Sequence, residues 1–120
     1  MSEFIANLRQ MASNDRSDVL ERLITDSLNL LFELEAVVST IAMTNATQFE
    51  IDDNRIDLDA AEFVDDEVRV PLWFHADGEH EEVQYFFGNQ IAGRAIARID
   101  DDGMVTYEIV DVDLVDPTFL

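Results

Sequence analysis

The chain has 120 residues, 48% of them hydrophobic and 28% charged, with 27 acidic residues against 7 basic ones and a formal net charge of -20. This length predicts a single domain over residues 1–120 with one hydrophobic core, and the apolar fraction excludes intrinsic disorder. The absence of Cys excludes a disulfide framework, a thiolate metal site and a Cys nucleophile.

The first predicted helix runs from Ser2 to Ala12. Ser2 serves as its cap, Glu3 favours the positive end of the helix, and Phe4, Ile5, Leu8, Met11 and Ala12 form one apolar stripe. The cluster Ser13-Asn14-Asp15 breaks it. A long second helix follows over about residues 16–42, with Asp18 and Glu21 placed as a capping box. Its apolar positions, from Val19 through Leu31 to Ile41, fill about half the circumference, which is wider than one sheet contact needs. The surplus suits packing on the first helix or on a second copy of the chain, a homodimer built on the long helix.

Short alternating strands occupy the rest. Thr47 to Asp52 and Arg55 to Asp59 read as a tight hairpin over Asp53-Asn54. Glu67 to His75 and Glu79 to Gly88 read as a second hairpin, because Asp77-Gly78 is a strong type I′ turn signal. Its register puts Val68, Val70, Leu72 and Phe74 on the core face, and Arg69, Pro71, Trp73 and His75 on the other. Pro71 cannot donate to a ladder, so it marks an edge or a bulge. Ile91 to Ile99 and Met104 to Leu114 form the last hairpin around Asp101-Asp102-Gly103. There Ala95 and Ala97 leave room for a close helix, and the pair Ile109-Val110 predicts a bulge that switches faces. The fold class is therefore α+β: one or two N-terminal helices packed on an antiparallel sheet of five to six strands built from hairpins.

All seven basic residues are arginines, and no lysine occurs. Such a charge repels nucleic acid and anionic membranes, so direct nucleic-acid or membrane binding is not expected. No run approaches the roughly 20 apolar residues of a membrane span. The start Met1-Ser2-Glu3-Phe4 lacks the basic segment and apolar core of a secretory signal, which predicts a cytoplasmic protein. Two explanations of the acidity compete. One is adaptation to concentrated salt, which the missing lysine suits. The other is a surface that meets a basic protein, as a nucleic-acid mimic does.

Up-and-down strands would bring three acidic turns to one end of the sheet. That rim would gather Asp52, Asp53, Asp77, Glu79, Asp100, Asp101 and Asp102, with adjacent hairpin tips about 10 Å apart. The leading expectation is a small non-enzymatic interaction protein that binds a basic partner, such as a nucleic-acid-binding protein or a nuclease, through this rim. The alternative is a small-molecule-binding or enzymatic domain with a pocket between the long helix and the sheet, where Glu35 would be a base and Tyr85 a donor.

His75 and His80 face each other across the expected turn and form a weak metal candidate that lacks a fixed third ligand. The Asp100-Asp101-Asp102-Gly103 stretch fails the EF-hand pattern, because Arg98 and Ile109 fall where carboxylates are needed. No cofactor is expected: the chain has no Gly-rich phosphate loop, no serine elbow and no HExxH.

Overall fold

The computed structural model describes residues 3–44, 48–79 and 90–115. Helices at the N-terminus pack on one face of an antiparallel sheet, as the α+β expectation requires. Among the described residues no helix is long and apolar enough to cross a membrane.

Helix α1 spans Phe4–Gln10 and buries Ile5 and Leu8. Helix α2 spans Ser13–Ser27 and buries Leu20 and Ile24, one turn apart. It starts before Asp18, so Asp18 and Glu21 lie inside the helix and form no capping box. The tie between the two helices is Arg16. Its Nε donates to the Leu8 carbonyl at 2.8 Å, which also accepts the Met11 N–H, and its Nη2 donates to the Arg9 carbonyl at 3.0 Å, so one guanidinium supplies donors to the last turn of α1. Arg16 and Arg9 also lie over the Phe63 ring at 5.3 and 4.9 Å.

The single long helix over 16–42 is not what forms. After Ser27 the chain tightens into a 3₁₀ segment, Leu28–Glu33, then Leu34 adopts an extended conformation and helix α3 restarts at Glu35–Ile41. The buried apolar residues change spacing at this point, from four apart over Leu20, Ile24 and Leu28 to three. Leu28 and Leu31 are three apart and both buried, which a three-residue turn brings onto one face. Restarting at Glu35 then directs Val37 and Thr40 inward.

The sheet order is β1-β3-β4-β5, with β2 also paired to β3. Its strands are β1 Gln48–Ile56, β2 Glu62–Val64, β3 Glu67–Glu79, β4 Gln90–Ile99 and β5 Val105–Val115. The expected hairpin over Asp53-Asn54 does not form. Instead β1 runs through those residues and pairs antiparallel with β3, with a bulge at Asp52 between Ile51 and Asp53. Nor is Asp77-Gly78 a turn. β3 continues to Glu79 because β1 supplies partners from Leu72 to its end, with Glu50 opposite Asp77 and Phe49 opposite Gly78. The expected strand from Glu79 to Gly88 falls largely outside the described residues, and β3 pairs with β4 instead.

The alternation in β3 is as expected. Val68, Val70, Leu72, Phe74 and Ala76 are buried beneath the helices, beside Ile91, Ala95, Ala97 and Ile99 of β4. The bulge in β5 also forms: Arg94 pairs with Asp111 and Ala95 with Ile109, leaving Val110 extra and 53% exposed. Pro71 sits in a central strand, but at a gap in its neighbours. β1 ends at Ile56 opposite Leu72, and β2 begins at Glu62 opposite Arg69. The Pro71 carbonyl accepts the Asp57 N–H at 2.9 Å, and the N–H that would return this bond does not exist. At this point the chain leaves the sheet for a short 3₁₀ turn, Leu58–Ala60.

Candidate functional site

The topology separates the seven carboxylates expected on one rim. Asp77 and Glu79 lie near the end of the sheet where β3 finishes and β4 begins. The turn Asp100-Asp101-Asp102 lies at the opposite end, between β4 and β5. Asp52 and Asp53 belong to neither end, since they sit within β1 beside His75.

Part of this acid shapes the chain. The Asp100 Oδ1 accepts the N–H groups of Asp102 at 2.9 Å and Met104 at 3.0 Å, which folds the turn, and Gly103 takes the left-handed conformation. The Asp101 Oδ1 accepts the Ile5 N–H at 3.0 Å, which caps α1 from a distant part of the chain.

Carboxylates gather instead along the β1–β2 edge of the sheet. Glu50, Asp52, Asp53, Asp57, Asp59, Glu62, Asp65 and Asp66 are all exposed, and in this stretch Arg55 is the only base. The edge runs from the row of Glu79 to the row of Glu67, about 40 Å at the rise of an antiparallel strand. The sequence alone does not show it, because the turn signal at Asp53-Asn54 splits β1 into two short strands and puts its charges in a turn.

The other candidate residues are dispersed. His75 Nδ1 lies 2.5 Å from Asp52 Oδ1, and its Nε2 lies 3.3 Å from Gln90 Oε1. His80 lies outside the described residues. Among the described residues no group of three His, Asp or Glu could hold a metal ion. Glu35 opens α3 on the exposed surface, away from the helix–sheet core, so it is not set in a pocket there. Tyr85 lies outside the described residues. The tyrosine between helices and sheet is Tyr107, buried and bonded to Ser27 Oγ at 2.8 Å.

The face of the sheet opposite the helices is uncovered by any described element, and four of the arginines stand on it. Glu67 pairs with both Arg69, at 2.6 Å, and Arg98, at 3.0 Å, and these guanidiniums hold its carboxyl below the usual carboxylate range. Arg94 pairs with Asp111 through its Nε and Nη2, which lowers the Asp111 pKa in the same way. Arg55 makes no hydrogen bond or ion pair with any described residue. It shares a cross-strand row with Trp73 and Arg94. A groove of about 590 Å³ lies here, lined by these three residues with Pro71, Ile96 and Val110 among others.

Comparison with protein-family models, curated proteins and solved structures finds no match to this chain.

Proposed function

We propose that this protein is a non-enzymatic interaction protein whose acidic β1–β2 edge binds a basic protein surface, such as that of a nucleic-acid-binding protein or a nuclease. The observation that carries the reading is the row of exposed carboxylates between Glu50 and Asp66, interrupted by one arginine. A DNA duplex about 40 Å long carries roughly 24 phosphates, so this edge offers about a third of that charge over the same length. The resemblance to nucleic acid is then one of sign and line, and the partner is a surface that accepts a row of well-separated anions. Binding of this kind associates fast and weakens steeply with salt.

A charge-matched pair of baits tests the proposal. One carries Asp53→Asn, Asp57→Asn, Asp59→Asn and Glu62→Gln along the edge. The other carries Asp15→Asn, Asp18→Asn, Glu21→Gln and Asp26→Asn on α2. Both lose the same charge. The expected result is that a basic protein captured by the native chain at low salt is retained by the α2 variant and lost by the edge variant. Equal retention by both would mean that net charge alone attracts it, and the edge reading would be wrong.

A further inference from the structure

We propose that the groove on the open face of the sheet is a binding site for a small aromatic carboxylate, with Trp73 as its platform and Arg55 as its anion partner. This does not depend on the acidic edge having a protein partner. The groove volume of about 590 Å³ falls within the roughly 300–1,000 Å³ of small-molecule sites. Apolar side chains form much of it: Pro71, Trp73, Ile96 and Val110, with Trp73 36% and Val110 53% exposed.

The polar groups are the specific part. Arg55, Trp73 and Arg94 are cross-strand neighbours, so the two arginine backbones stand about 10 Å apart with the indole between them. Asp111 fixes Arg94 at its Nε, at 2.9 Å, and again through the Arg94 backbone N–H, at 3.2 Å. A guanidinium paired in this way still offers a planar face on which an aromatic ring can stack. Arg55 differs. In a chain with 27 acidic and 7 basic residues, Arg69, Arg94 and Arg98 on this face each have a carboxylate, and Arg55 has none among the described residues. Its planar fork fits a carboxylate through two parallel hydrogen bonds.

The same balance limits the charge of the ligand. Asp57 lines the groove beside Arg55, and the chain as a whole is strongly negative. A monoanion neutralised by one guanidinium fits there, whereas a phosphate dianion would leave an excess of negative charge. An aromatic body satisfies the indole and the Arg94 plane together.

The chain has one tryptophan, so the Trp73 indole N–H gives a unique NMR signal and reports directly on the groove. The probes are 4-methylbenzoate and its neutral isostere 4-methylbenzamide. The benzoate is expected to shift the Trp73 signal saturably, with a Kd in the millimolar range or tighter for a ligand of about ten heavy atoms. The benzamide is expected to bind at least about tenfold more weakly, as loss of a charged hydrogen-bonded pair implies. Arg55→Gln should abolish that preference, and Arg22→Gln, which changes the charge equally on exposed α2, should preserve it. The dispersion of the remaining amide signals verifies the fold of each variant. Equal binding of the two probes, or no saturable shift with the benzoate, overturns the proposal. A Trp73 signal that moves with protein concentration alone also overturns it, because a second copy of the chain would then occupy the face.

Discussion

The Tyr107 hydroxyl, carried by β5, donates a hydrogen bond of 3.0 Å to the Ile24 carbonyl in α2. This bond joins the sheet to the helix that covers it, and Ser27 completes the contact at 2.8 Å. Tyr107→Phe keeps the ring and removes the bond, so a loss of about 1 kcal/mol is expected in urea unfolding. Burial also raises the Tyr107 pKa above that of a free tyrosine. The folded state therefore favours the protonated phenol. Its contribution is complete below about pH 10, the unfolded value, and is lost as pH rises through the higher folded value. Native protein should show an alkaline loss of stability that Tyr107→Phe reduces. Equal slopes above pH 10 in both proteins would contradict the assignment.

Glu67 leads to the opposite pH range. Its carboxyl is held low by hydrogen bonds from Arg98 first and Arg69 second. A depressed folded pKa gives stability above the unfolded value, which disappears as pH falls through the folded one. Glu67→Gln should lower Tm slightly at pH 7, and the difference should close below the carboxylate range. Calorimetry at both pH values checks this. A gap that persists in acid would assign the effect to packing.

The exposed carboxylates repel one another, and salt screens them almost completely by about 1 M. Thermal melts from ~0.1 M to ~1 M NaCl should show a folded protein at the low end and a Tm that rises with salt. Neutralising Asp57, Asp59 and Glu62 should flatten that rise. A native chain that melts near or below room temperature without molar salt would make the acidity an adaptation to saline surroundings, and the proposed partner would lose its main support.

Gly93 pairs with Val112 just beyond the β5 bulge. A Cβ at this position would run into the Asp111 carbonyl oxygen, and would lie 3.0 Å from both the Phe74 ring and the Val112 Cα. Two of these are backbone atoms, which cannot swing aside. Gly93→Ala should therefore cost about 3 kcal/mol, read as a lower midpoint in denaturant. A variant of native stability would mean that the two strands separate easily at this row.

The sheet was legible where alternation and burial agree. Val68 to Phe74 and Ala95 to Ile99 each show the two-residue period, and the doubled Ile109-Val110 marks the bulge. Local turn chemistry misled where a distant strand could overrule it. Asp77-Gly78 and Asp53-Asn54 are both good turn dipeptides, yet each lies in a strand because β1 pairs with the Leu72–Glu79 part of β3 along all of its own length. That pairing joins residues far apart in sequence, and no short-range signal encodes it. The acidic edge is hidden for the same reason, since its carboxylates align only once β1 runs as one strand beside β3. The period alone puts Trp73 on the outer face, whereas its neighbours Arg55 and Arg94 follow only from the strand order.

Both borders of this sheet are acidic, with Glu50 through Asp66 on one and Glu108, Asp111 and Asp113 on the other. A bare strand border is a template on which another chain can add itself. Here two copies approaching border to border bring carboxylates against carboxylates, which opposes growth into ribbons at neutral pH. The protection lasts only as long as the charge. Near the isoelectric point of about 4.1 the guard is withdrawn while the strands remain, and the folded protein becomes its own seed for precipitation.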